Sequence, residues 1–362
     1  MMNWMKHYWR NLRLDLSEVQ EQLSSNTLIS ADSPILLDVA QYSENSGDAI
    51  IMHYVNKVFN QLYPNSHLQH LPTHRHTTGV EHADKTAIKF VCGTNILTSD
   101  MNHYCPLALP RVTLNAYRNS LCLLATGMRA INHETKEFDK YTKRLLRYLL
   151  NSSYYHSVRD ENTKRHLSQI GITNVLNTSC VTMWNLTPDF CATIPKDKSP
   201  DVITTVTDYA KEPVTDRFML ETLCKNYDNV FVWLQAKEDS NYVSSLVSSN
   251  KVHFINHDFG SYNNFILAHD NIDYFGTRLH AGIHCLNNRI RTMIVEVDNR
   301  AADISKDTNI PTVKREELKK SMVALIYGTR ATNIHIPLPE ISAWKAQFQP
   351  GSHNQMAESR RS

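Results

Sequence analysis

Arg278 and His280 stand two residues apart in the run Gly276-Thr277-Arg278-Leu279-His280-Ala281-Gly282-Ile283-His284. An arginine grips phosphate or carboxylate through its planar fork. A histidine moves a proton near neutral pH. The preceding Asp273-Tyr274-Phe275 reads as a strand end, and a helix is predicted from about Leu279. The first turn of that helix adds backbone N–H groups that favour an anion. A structural salt bridge with a capping histidine is the alternative, and the segment alone leaves both readings open.

Other polar loops follow predicted strands. In Ser43-Glu44-Asn45-Ser46-Gly47-Asp48 the amides of Asn45, Ser46 and Gly47 lie where a helix begins, suited to an anion or a sugar. Asp48 suits a hydroxyl or the helix N-terminus, and plain N-capping is the alternative. In His156-Ser157-Val158-Arg159-Asp160 a cation sits at a strand end just before a helix. That is an anion clamp or a structural Arg159–Asp160 pair, with Asp160 as the cap. Asp298 and Arg300, in Glu296-Val297-Asp298-Asn299-Arg300, are binding residues for a sugar or nucleotide, or surface loop residues.

The elements that must carry these loops alternate along the chain. Strands are predicted over 34–40, 87–92, 121–125, 155–158, 202–206, 230–234, 252–255, 272–275 and 291–297. Helices are predicted over 49–62, 138–150, 161–170, 216–225, 261–269 and 314–325. Pro195 to Pro200 reads as a linker, after which the pattern restarts. The expectation is an α/β protein of two Rossmann-like domains with parallel sheets, 1–194 and 195–340, with a polar tail over 341–362. The cleft between two such domains is the expected site.

Composition narrows the function. The chain has 362 residues, 41% hydrophobic and 20% charged, which is globular. Lys plus Arg is 38 against 36 for Asp plus Glu, so a formal charge of +2 gives no electrostatic case for nucleic acid. The 7 cysteines form no C-x-x-C pair, which points to reduced thiols and the cytosol. Cys285 beside His284 is discounted as a nucleophilic pair, because neighbours in a helix do not face each other. There is no G-x-G-x-x-G, no P-loop and no G-x-S-x-G, which disfavours dinucleotides, P-loop nucleotides and α/β-hydrolase chemistry. His67, His70, His74, His76 and His82 crowd one segment with Pro72. A metal site is one reading and a polar surface loop the preferred one. No apolar run approaches a membrane span. Met1 to Leu16 mixes aromatic and basic residues in the manner of a membrane-surface segment, a docking helix or a frayed end.

The motifs in this order resemble the polysaccharide pyruvyltransferase family. They are Asn45-Ser46-Gly47-Asp48, Ser157-Val158-Arg159-Asp160 and Arg278-Leu279-His280-Ala281, followed by the strand 294–298 ending in Asp298. The resemblance spans roughly residues 35 to 325. The family's glycine-rich loop is represented here by Cys92-Gly93-Thr94-Asn95. Its usual Asp-Pro after the mid-chain helix is replaced by Asn177-Thr178-Ser179-Cys180.

The resemblance implies a GT-B-like fold and transfer of the enolpyruvyl group of phosphoenolpyruvate onto a sugar, forming a pyruvate ketal. The setting it implies is surface-polysaccharide synthesis, in the cytoplasm or at the inner face of the membrane. Arg159 and Arg278 would hold the donor's phosphate and carboxylate, and His280 would transfer protons. Asn45, Gly47, Asp48, Asp160, Thr277, Leu279, Asp298 and Arg300 are then the substrate-binding candidates. No metal or cofactor is called for. A GT-B glycosyltransferase using a nucleotide sugar and a non-catalytic carbohydrate-binding protein are the alternatives.

Overall fold

The computed structural model describes residues 29–75, 86–108, 111–130, 135–207, 210–235 and 239–349. The N-terminal segment Met1 to Leu16, His76, His82 and the last part of the expected tail lie outside them. Of the described residues, those within Met1–Ser43, Met52–Val181 and Pro337–Ser362 form one compact unit. Those within Glu44–Ile51 and Thr182–Ile336 form a second.

The first unit is built on strands β1 (Ser30–Asp38), β2 (Gln69–Pro72), β3 (Ala87–Cys92), β4 (Asn95–Leu97), β5 (Leu121–Leu124), β6 (Gly127–Met128), β7 (His156–Val158) and β8 (Val175–Asn177). The main sheet runs β2-β1-β3-β5 with all neighbours parallel. Ile35, Leu36 and Leu37 are all buried, as a strand covered on both faces requires. Helix α1 (Ser46–Leu62) follows β1; α2 (Lys140–Leu149) and α3 (Glu161–Gln169) precede and follow β7.

Beyond β5 the ladder continues through side chains. The Leu123 amide donates to His156 Nδ1 at 3.2 Å, and the Ala125 amide donates to Ser157 Oγ at 2.8 Å. An accepting Nδ1 puts the imidazole proton on Nε2, so His156 is neutral. Burial pulls its pKa down to about 4.

Two segments differ from the sequence expectation. Within the histidine-rich stretch, Gln69–Pro72 is a strand rather than a loop: it pairs with β1, and His70 Nδ1 lies 2.8 Å from Asp38 Oδ2. An edge strand has only one partner, so a short polar segment ending in proline fits there. The expected tail from 341 instead continues helix Leu338–Ala346. Ile341 and Trp344 are buried, and Trp344 meets Phe90 edge-on at 5.8 Å. Gln347 then clasps both backbone groups of Tyr155.

After the short helix α4 (Pro188–Cys191), the second unit alternates strictly. β9 (Asp201–Thr204) leads to α5 (Pro213–Asn226), and β10 (Val230–Trp233) to α6 (Asp239–Leu246). β11 (Val252–Ile255) leads to α7 (Phe259–Ala268), and β12 (Ile272–Gly276) to α8 (Leu279–Asn287). β13 (Thr292–Glu296) leads to α9 (Asn299–Thr308), and β14 (Thr312–Lys314) to α10 (Leu318–Tyr327). The helix Leu338–Ala346 is α11. The all-parallel sheet runs β11-β10-β9-β12-β13-β14. This order reverses direction between β9 and β12, which is the topological switch point of a doubly wound sheet.

Candidate active site

Strands β9 and β12 end side by side at that switch point, and the Arg278 turn follows β12 directly. Neighbouring strand ends leave a crevice there, where ligands of such sheets bind. Gly276 is dictated by closeness: a Cβ on it would lie 2.7 Å from the Thr205 amide nitrogen. The Thr277 amide donates to the Thr205 carbonyl at 3.0 Å, and the hydroxyls of Thr277 and Thr207 are 2.7 Å apart.

Arg278 is held at both ends of its own backbone. Its amide donates to Thr205 Oγ1 at 3.1 Å, and its carbonyl accepts from the Tyr274 hydroxyl at 2.8 Å. Tyr274 and Thr205 hydroxyls are themselves 2.7 Å apart. Since Tyr274 gives its only proton to Arg278, Thr205 donates to Tyr274 and accepts from Arg278. Burial pushes the Tyr274 phenol well above its ordinary pKa, so it stays a donor.

The Arg278 side chain is buried, and its NH2 group donates to both carboxylate oxygens of Asp239 at 3.1 Å. Asp239, the first residue of α6, also accepts from the Gln235 amide at 3.0 Å. Gln235 turns the other way and donates from Nε2 to Asn45 Oδ1 at 2.6 Å. Asn45 Oδ1 accepts from the Gly47 amide as well, and the Ser46 amide donates to the Gln235 carbonyl. Ser46 Oγ donates to the His257 carbonyl. A Cβ at Gly47 would sit 2.5 Å from Gln235 Nε2, so a side chain there would push that amide away from Asn45. The Asn45 turn and the Arg278 turn, remote in sequence, thus belong to one hydrogen-bonded cluster within the second unit.

His280 lies in the first turn of α8 and is largely buried, as are Thr277 and Leu279. The next histidine, His284, packs edge-on against Phe259 at 5.4 Å. Burial raises the Cys285 thiol to about 12, and its sulfur sits 3.0 Å from the Tyr262 hydroxyl. That is an unreactive thiol. Asp48, half-buried, is in the first turn of α1. Asp298 and Arg300 stand one strand over, at the end of β13. They engage each other: Arg300 Nε reaches Asp298 at 2.9 Å, and the Arg300 amide donates to the same carboxylate, capping α9.

Arg159 belongs to the first unit. It follows β7, its amide donates to the Thr126 carbonyl, and its side chain is 1% exposed. NH2 donates to Asn95 Oδ1, and Nε lies 3.4 Å from Asp160. Asp160 also caps α3, accepting from the Thr163 amide at 2.7 Å. The turn before Asn95 is made by Gly93 and Thr94, both with φ in the left-handed region (66° and 56°). The reduced glycine loop thus delivers a ligand for the Arg159 guanidinium. Asn95, Gln235 and Asp239 were not among the sequence candidates. Each follows a strand end of a parallel sheet, and that position is the signal that marks them.

The model of the polysaccharide pyruvyl transferase family matches residues 45–299, a span that opens on Asn45 and contains Arg159, Arg278 and His280. The chain belongs to this family. It is therefore a transferase that moves a pyruvyl group in polysaccharide modification. No curated protein matches it. Among solved structures it is similar to a putative UDP-N-acetylglucosamine 2-epimerase from Listeria monocytogenes. Identity is 11% and the TM-score 0.51, covering 88% of this chain and 97% of that one. The UDP-GlcNAc 2-epimerase from Neisseria meningitidis bound to UDP-GlcNAc gives 10% identity and a TM-score of 0.45, over 90% and 99%. The Listeria likeness shows the fold of this pyruvyl transferase, GT-B-like with two parallel sheets. Among the described residues no helix is long and apolar enough to cross a membrane.

Proposed function

We propose that this pyruvyl transferase takes its three carbons from phosphoenolpyruvate and closes them as a ketal across two hydroxyls of a sugar. The observation that carries the reading is a buried arginine fixed at the switch point with a histidine two residues on, at the start of a helix. Arg278 takes an anionic group of the donor, aided by the positive end of α8. For Arg159, a buried arginine of the first unit, the reading is likewise a donor anion contact. His280 is the proton-transfer residue.

The chemistry asks for these roles. A proton delivered to the methylene carbon of phosphoenolpyruvate makes C2 cationic. A sugar hydroxyl attacks C2 and loses its proton. The C2–O bond to phosphate then breaks, and the second hydroxyl attacks C2 as inorganic phosphate leaves. Arginine charge offsets the donor's trianion and eases phosphate departure. An imidazole both gives and takes the protons. On the acceptor side the reading uses Asn45, Gly47 and Asp48, with Asp160, Thr277, Leu279, Asp298 and Arg300 as further substrate contacts. The free thiols of all the cysteines support a reducing compartment, the cytoplasm.

Thermal unfolding with phosphoenolpyruvate, set beside nucleotide sugars, tests the donor. At a hundred times its dissociation constant a ligand stabilises by about 2.7 kcal/mol. Protection by phosphoenolpyruvate supports the reading; protection by a nucleotide sugar alone turns it to glycosyl transfer.

A further inference from the structure

Asp239 and Gln235 carry no role in the reading above, yet Asp239 holds its central arginine and Gln235 holds Asp239. A guanidinium has donors along several edges. Asp239 uses one of them, taking NH2 with both oxygens at 3.1 Å, and its side chain is 2% exposed. A buried carboxylate is costly unless its oxygens are satisfied. The Gln235 amide supplies that satisfaction at 3.0 Å. The Gln235 side chain then reaches Asn45 Oδ1, and its own Oε1 is buried without a hydrogen-bond partner among the described residues. A buried acceptor left without a partner carries a desolvation cost, so it calls for an explanation.

We propose that Asp239 is a positioning residue for pyruvyl transfer. It presets the Arg278 guanidinium for the donor anion, and Gln235 ties that setting to the Asn45 turn. The proposal rests on the reading of Arg278 as a donor contact. It makes a prediction opposite to simple charge balance. As a mere neutraliser, Asp239 opposes the donor's negative charge, and its removal would tighten donor binding. As a positioning group, its removal frees the guanidinium to turn away, and donor binding weakens.

The test is isothermal titration of the full chain with phosphoenolpyruvate, using wild type, Asp239→Asn, Asp239→Glu, Arg278→Ala and the double variant Arg278→Ala with Asp239→Asn. Wild type binds. Asp239→Asn binds about tenfold more weakly, the scale of one charge-assisted hydrogen bond. In the Arg278→Ala background the same change costs nothing further, because there is no guanidinium left to position. Equal or tighter binding by Asp239→Asn overturns the proposal. So does an equal loss in both backgrounds, which would mark a general effect on the fold. Should Asp239→Asn fail to fold, Asp239→Glu keeps the charge and displaces the carboxylate by one methylene. A several-fold loss there supports positioning, and wild-type affinity contradicts it. Wild type that fails to bind phosphoenolpyruvate removes the donor reading itself, which is seen before any variant is compared.

Discussion

Gly127 and Arg159 share a space that no side chain at 127 can enter: a Cβ there would lie 2.4 Å from both Cζ and Nε of the guanidinium. The arginine is pinned by Asn95 and Asp160, so it cannot simply swing aside. Gly127→Ala is expected to displace Arg159 and to cost about 1–3 kcal/mol of stability through overpacking. Phosphoenolpyruvate affinity should fall with it, as it should in Arg159→Ala. Calorimetric titration of donor and acceptor separates the effects: donor affinity drops about tenfold or more while acceptor affinity moves less. Unchanged donor affinity in Arg159→Ala would remove that residue from donor binding.

Thr205→Val keeps the side-chain shape and deletes the hydroxyl that accepts from the Arg278 amide and donates to Tyr274. Two buried polar groups lose their partner, a loss of about 1–3 kcal/mol each at most. Urea unfolding should show the loss, and titration with phosphoenolpyruvate should show weaker binding. Full donor affinity would mean that the Arg278 turn holds its geometry without the Thr205 clasp.

His156 makes stability depend on acidity. Its ordinary pKa of 6.5 applies in the unfolded chain, whereas burial pulls the folded value down to about 4. Above pH 6.5 it is neutral in both states and contributes no slope. As pH falls from 6.5 to 4 the unfolded chain takes up a proton that the folded chain refuses, and stability declines. The decline from this group is about 3 kcal/mol, and it levels off below pH 4. Urea unfolding between pH 7 and 4 checks it against His156→Asn, which keeps an acceptor near the Leu123 amide. A variant with the same slope as wild type would place the acid sensitivity elsewhere.

The strand-to-helix turn at Arg278 was readable because an apolar strand, a small-residue turn and a helix follow within a few residues. Arg159 and Asp160 were readable for the same reason. Their partners were not. Gln235 and Asp239 follow an apolar strand, but α6 behind them is rich in Ser and Asn and carries no strong helical signal. Helix α9 was hidden because Asp298-Asn299-Arg300 reads as a polar loop, although Asp298 is its cap. The C-terminal helix was masked by polar neighbours around Ile341 and Trp344, whose spacing of three places them on one face. Strand β2 escaped notice because an edge strand tolerates the polar residues that suggested a loop. What local patterning conveys is an element and its chemistry; which distant side chain satisfies it depends on strand order.

Phosphate release from phosphoenolpyruvate with a panel of sugar acceptors, wild type beside His280→Ala, tests transfer and the role of His280 together. Release should depend on acceptor in wild type and be nearly abolished in a folded His280→Ala protein. Release by His280→Ala within a few-fold of wild type would contradict the role of His280. Wild type that neither binds phosphoenolpyruvate nor releases phosphate with any acceptor would contradict phosphoenolpyruvate as the donor.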